Sequence, residues 1–210
     1  MEEVLEVYTR PYDARSPVVC LDEASTQLVA DVTPPLPMQP GHPARQDYEY
    51  ERCGTANLFM GFEPLASQRH VTVTDQRTNA EVAVVLREVA DVTYADADKS
   101  VLVMDNVNTH TLAVLYQVYP PEEARRLYER FAVHHTPKHA SWLNMAETER
   151  SVLGRQCLDR RIAHQGLLKR EVTAWERKRN RAQVRVDWQF TTAAARIKLQ
   201  RLYPKREPVN

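Results

Sequence analysis

The sequence predicts an α/β fold: a mixed sheet flanked by helices, with a basic helical part at its C-terminal end. Three observations carry this. Short apolar runs of the kind that form buried strands occur at 17–22, 57–62 and 101–104. Other stretches change to helical spacing, as where Val82, Leu86 and Val89 fall at i, i+4 and i+7. Charge is also divided along the chain: residues 1–149 hold 12 Lys and Arg against 23 Asp and Glu, and residues 150–210 hold 16 against 5. A basic last third on an acidic body fits a polyanion partner, most simply nucleic acid. It fits equally an internal interface across which the two parts neutralise one another.

Composition narrows the classes. The chain has 210 residues, 43% hydrophobic and 27% charged, enough for one domain with a core of its own. It has no apolar run near the ~18 residues of a membrane span and no basic-then-apolar leader, so a cytoplasmic location is expected. Cys20, Cys53 and Cys157 are widely spaced without a CxxC pair, the pattern of reduced thiols.

Taken in order, residues 2–10 alternate acids with Val4, Leu5 and Val7, a helix leading into the domain. Strands are expected at 17–22 and, more briefly, 27–32. The Pro-rich stretch 34–43 can form neither helix nor central strand. The insertion containing it, 33–54, is a loop of a length normally functional or disordered. Residues 57–62 and 69–74 read as an antiparallel pair joined by 63–68. A helix follows from Thr78, then a strand at 101–105. A helix opened by Pro121 comes next, then a strand at 132–136. The rest is helical over 142–159, 165–182 and 191–202. In the second of these helices Leu168, Val172 and Trp175 share a face, and Thr191 or Thr192 suits the N-cap of the third. Trp142, Trp175 and Trp188 read as packing residues. This order is that of a ribonuclease-H-like mixed sheet, in which the first and fourth strands are neighbours.

Both of those strands end in acid, Asp22-Glu23 after the first and Asp105-Asn106 after the fourth. One aspartate at a strand tip is more often a turn or cap residue, but open α/β sheets place ligands at that end. Two such carboxylates side by side require a cation, and hard divalent ions take oxygen ligands. A third acid comes from 142–150 (WLNMAETER), as Glu147 or Glu149. Two positions apart on a helix they point about 200° from each other, so both cannot face the same ions.

The residues LDE at 21–23, MDNVNTH at 104–110 and TPKHASWLNMAE at 136–147, continuing through SVLGRQCLDRRI to 162 and ending in DWQFTTAAARIKLQRLYP, resemble a bacterial insertion-sequence transposase of the mariner-like DDE superfamily ("six-thirty" type). The resemblance implies a ribonuclease-H-like catalytic domain with a triad of Asp22, Asp105 and Glu147 holding two Mg²⁺ or Mn²⁺ ions. Leu143-Asn144, aligning with the LN before the family's third acid, favours Glu147 over Glu149. It further implies cleavage and strand transfer at insertion-sequence ends, double-stranded DNA as partner, and a homodimer to which 33–54 contributes a clamp loop. The expected domains are a lead-in helix over 1–16, the catalytic domain over 17–162, and a basic helical extension over 163–210 packed on it. Relatives normally begin with helix-turn-helix modules, so the resemblance implies either a separately encoded recognition module or a truncated remnant. Two other readings stay open: an idle fragment that binds DNA or full-length transposase, and another ribonuclease-H-like nuclease.

Candidates for DNA contact are His110, Lys138, His139, Arg155, Arg160, Arg161, Lys169 and Arg170, with the other basic residues of 169–181. Such side chains position a phosphate backbone without reading sequence. His110 reads first as a cap for the next helix and second as a DNA or metal-bound-water contact. The spacing of His134, His135 and His139 matches no standard zinc site.

Overall fold

A computed structural model of the protein describes residues 1–105, 111–138, 140–186 and 188–203. Five strands, β1 (Val18–Asp31), β2 (Tyr50–Glu63), β3 (Gln68–Thr74), β4 (Ser100–Met104) and β5 (Phe131–His135), form one sheet in the order β3-β2-β1-β4-β5. β1, β2 and β3 pair antiparallel, whereas β4 is parallel to both β1 and β5. The first and fourth strands are neighbours, as the ribonuclease-H-like layout requires. A parallel pairing needs a long crossover, here supplied by α2 (Asn79–Glu88), which a Thr78–Glu81 capping box starts.

Because side chains alternate across a strand, the sheet feeds two cores. Val19, Leu21, Phe59, Leu102 and Met104 face α2, α3 (Val114–Val118) and α4 (Pro121–Glu129). Cys20, Leu58, Met60, Val101 and Val103 face the helices α1 (Glu2–Tyr8), α5 (Met145–Leu153), α6 (Gln165–Arg181) and α7 (Thr192–Lys198). α6 buries Leu168, Val172 and Trp175, the stripe read from the sequence. It also covers the outer edge of β3: Asn180 both accepts from the Arg69 amide (3.0 Å) and donates to its carbonyl (2.9 Å), and Glu176 accepts from the Val71 amide (2.9 Å). An open strand edge is thereby closed to a further strand. Among the described residues no helix is long and apolar enough to cross a membrane.

Several elements differ from expectation. The runs at 17–22 and 27–32 are one 14-residue strand, interrupted only by a register shift between Gln27 and Val29. At that irregularity the Val29 amide donates to the Ile162 carbonyl (2.9 Å). The Pro-rich insertion is not a shapeless loop. β2 already begins at Tyr50, and bridges at Leu36–Arg45 and Gln39–His42 carry the pairing outward as a narrow arm. Its tip turns at Pro40-Gly41, with Gly41 at φ +79°, the combination a type II turn demands. The helix expected over 142–159 is split into a 3₁₀ turn (Ser141–Leu143), α5 and a π-type turn (Gly154–Leu158), because the Asn144 side chain caps α5 by accepting from the Ala146 amide. The helix expected over 191–202 ends at Lys198, capped by Thr191. Trp175 is buried and Trp188 packs on Tyr8 at 5.1 Å, but Trp142 is 42% exposed, touching Phe190 edge-on.

Glu63, at the end of β2, is buried, and its Oε1 has no hydrogen-bond partner among the described residues. Burial raises its carboxyl above the ordinary range, which the nearby Tyr94 hydroxyl opposes only in part. Below the unfolded value of about 4.3 the group is neutral folded or unfolded. As pH rises through the raised folded value, the native state must bury a charge and loses stability. Urea midpoints of wild type and Glu63→Gln should therefore differ little near pH 4 and separate toward pH 8, the variant becoming more stable by about 1 kcal/mol. A gap independent of pH would show that this carboxyl does not titrate.

Candidate active site

Leu21 of β1 lies opposite Met104 of β4, so the next residues, Asp22 and Asp105, stand side by side where β4 and the parallel pairing end; the first strand does not end at Asp22, as expected, but runs on to Asp31. Asp22 is still paired with Met60 of β2 and is buried. Burial raises its carboxyl above the ordinary range, the neighbouring charge of Asp105 adds to this, and the Arg150 guanidinium opposes it. Asp105 accepts from the Thr136 hydroxyl (3.0 Å) and, more distantly, from Asn144 Nδ2 (3.5 Å). Asn144 Nδ2 also donates to the Leu21 carbonyl (2.9 Å) while its Oδ1 caps α5. One buried side chain thus ties β1 at Leu21 to the start of α5.

Glu147 lies in the first turn of α5. Its Oε2 is buried without a hydrogen-bond partner among the described residues, and its Oε1 is 3.9 Å from Arg150 Nη2. Arg150, one turn further along, donates from Nε to Asp22 Oδ2 at 2.7 Å. The three acids singled out in the sequence therefore meet at one end of the sheet around Asn144 and Arg150. A carboxylate trio with an orphaned oxygen is the donor chemistry of a hard divalent cation. Asp22 and Glu147 as they stand are closed on Arg150, and among the described residues no three His, Cys, Asp or Glu groups form a ready metal site.

Glu149 has another place. It is 2% exposed and accepts from Arg69 Nε (2.8 Å), Arg179 Nε (2.6 Å) and Arg179 Nη2 (3.2 Å). Arg69, fully buried, also donates to the carbonyls of Ser67 (2.7 Å) and Val184 (2.6 Å). Glu149 is an internal anchor of α5, pointing away from the strand ends.

The basic candidates divide. Arg155 and Arg160 line a groove of about 820 Å³ between the π-type turn and α6, with Trp175, Lys178 and Arg179 on its walls; Arg160 also pairs with Glu171. Arg161 is committed internally: it pairs with Asp31 (2.8 Å) and donates to the carbonyls of Glu49 (2.7 Å) and Asp47 (2.6 Å), bracing the base of the arm. Lys169 and Arg170 are exposed on the first turns of α6 and Lys138 is exposed beyond β5. His110 and His139 lie outside the described residues. His134 contacts the Glu3 carboxylate (2.7 Å).

Residues 17–169 match the family model of the DDE superfamily endonucleases. The chain belongs to that family. No curated protein is similar enough to match. Among solved structures this DDE domain resembles the Mos1 mariner paired-end complex with Mn (16% identity, TM-score 0.56, covering 87% of this chain and 55% of that one). It also resembles the Mos1 transposase paired-end complex with left transposon end (14%, 0.57, 87% and 56%) and the Mos1 strand transfer complex (15%, 0.56, 84% and 51%). At such identities the likeness is one of fold, and the chain spans about half the length of these relatives.

Sequence reading missed Arg69, Asn144 and Arg150 as parts of this region. Asn144 carried a signal, the LN pair, but served only to choose an acid; Arg69 carried none, since an arginine in an alternating strand reads as solvent-facing.

The two acids of α5 should separate experimentally. Glu149→Gln leaves the buried Arg69 and the half-buried Arg179 without a charged partner and should cost about 3–5 kcal/mol in urea unfolding. Glu147→Gln should stay within about 1 kcal/mol of wild type. Equal losses would contradict this division of roles.

Proposed function

We propose that this chain is the catalytic domain of a bacterial insertion-sequence transposase of the mariner-like branch ("six-thirty" type), cutting phosphodiesters and transferring strands at element ends. One observation carries the reading: aspartates from two neighbouring parallel strands stand side by side, and one of them, Asp22, shares Arg150 with a glutamate from the first turn of α5. Family membership and the fold of the mariner relatives support it.

Asp22, Asp105 and Glu147 are the residues that would hold Mg²⁺ or Mn²⁺, two ions per site. When bound, the metal lowers the pKa of an attacking water or activates a DNA 3′-OH, and neutralises charge on the leaving oxygen. The chain's other residues do the positioning. Thr136 and Asn144 fix the Asp105 carboxylate by hydrogen bonds, and Asn144 locks the first turn of α5 to β1. Arg155, Arg160 and Lys178, on the groove walls, suit a DNA phosphate backbone, where permanent charges give affinity without sequence choice.

Asp105→Ala should abolish Mg²⁺- or Mn²⁺-dependent nicking of duplexes carrying element ends while leaving the fold intact by circular dichroism. Undiminished cleavage by that variant would remove the triad from the reading. Cleavage of RNA–DNA hybrids in preference to element ends would favour another ribonuclease-H-like nuclease.

The arm over 32–49 is the proposed contact with a second subunit. It stands off the sheet and exposes Val32, Leu36, Met38 and Tyr48 together, more apolar surface than a hairpin needs to hold itself. Deleting 34–43 should weaken dimer formation on DNA in analytical ultracentrifugation without lowering the melting temperature of the domain. Unchanged assembly would reduce the arm to a surface insertion.

A further inference from the structure

We propose that Arg150 is the resident counter-ion of the acidic site. Its guanidinium holds the Asp22 and Glu147 carboxylates while no metal is bound, and a divalent cation must displace it to load. This rests on the preceding reading that these carboxylates are metal ligands.

Position explains why this residue plays the part. Arg150 follows Glu147 by three residues on α5, so both side chains lie on one helix face, directed at the strand ends. Its Nε bonds Asp22 Oδ2 at 2.7 Å, while Nη2 stays 3.9 Å from Glu147 Oε1. Asp22 is buried beside Asp105, and converging carboxylates there need a positive charge near them. A guanidinium supplies it without leaving a free base behind, for it does not lose its proton at accessible pH. It can therefore leave the site only by moving.

The surroundings allow the side chain to move while the helix stays. α5 is held from its opposite side by Glu149 between Arg69 and Arg179, and from its start by Asn144. Arg150 itself is about one-third exposed (34%), with a path to solvent. Metal and guanidinium would compete for the Asp22 carboxylate, so the observed metal affinity would be the intrinsic one multiplied by the fraction of time Arg150 is withdrawn. A DNA phosphate at the site would offer the withdrawn guanidinium a new anion. Loading of metal and of DNA would then favour one another.

The test is Mn²⁺ titration by isothermal calorimetry of the full chain, with melting curves in the presence and absence of Mn²⁺. Arg150→Ala should bind Mn²⁺ about tenfold more tightly than wild type. It should melt below wild type without metal and gain more on adding Mn²⁺. Arg150→Met, which keeps the packing of the stem, carries the same comparison should the alanine variant not fold. Equal or weaker Mn²⁺ affinity in the Arg150 variants, with Asp105→Asn still lowering it, would overturn the role of Arg150 and leave the metal reading standing. Affinity untouched by Asp105→Asn in either background would instead remove the metal reading itself.

Discussion

The buried ion cluster of Arg69, Glu149 and Arg179 governs how the acidic end of this domain is built. It joins β3, α5 and the last turn of α6 through one carboxylate that is almost wholly removed from water. Every partner is needed, because an unpaired charge at that depth is far more costly than the pair is stabilising. The geometric result matters more than the energy. With Glu149 locked inward, the residue two positions earlier is turned about 200° around the helix, toward the strand ends. Glu147 is thereby left on the helix face of Arg150, which bonds Asp22.

Parallel pairing of β1 with β4 is the second constraint. It brings residues far apart in the chain to one edge, and Asn144 joins that edge to α5 through the Leu21 carbonyl. Packed elements on both sides hold this arrangement, and the one-third exposed Arg150 side chain is the cation that bonds Asp22 within it.

The opposed charges of the two parts of the sequence are partly neutralised internally and partly left at the surface. Arg150 with Asp22, Arg179 with Glu149, Arg161 with Asp31 and Arg196 with Glu2 neutralise acids of the first part internally. Arg155, Lys169, Arg170 and Lys178 remain exposed. The internal pairs explain why a count of basic residues overstates the surface open to a polyanion: Arg161, grouped with Arg155 and Arg160 by position in the chain, instead braces the arm.

What the sequence by itself determined was the order of elements, the burial of β4, the stripe of α6 and the neighbouring of Asp22 with Asp105. These follow from hydrophobic period and from the limited ways a crossover can return to a sheet. The family resemblance at Leu143-Asn144 favoured Glu147 over Glu149 as candidate third acid without giving a physical reason. Only the tertiary structure decided what the charged side chains do. The partners of an arginine lie wherever the fold delivers a carboxylate: for Arg69 that is 80 residues away, for Arg150 it is 128. No local pattern encodes such distances. The arm escaped the sequence for a related reason, since prolines announce where regular pairing fails but not that bridges beyond them continue the hairpin.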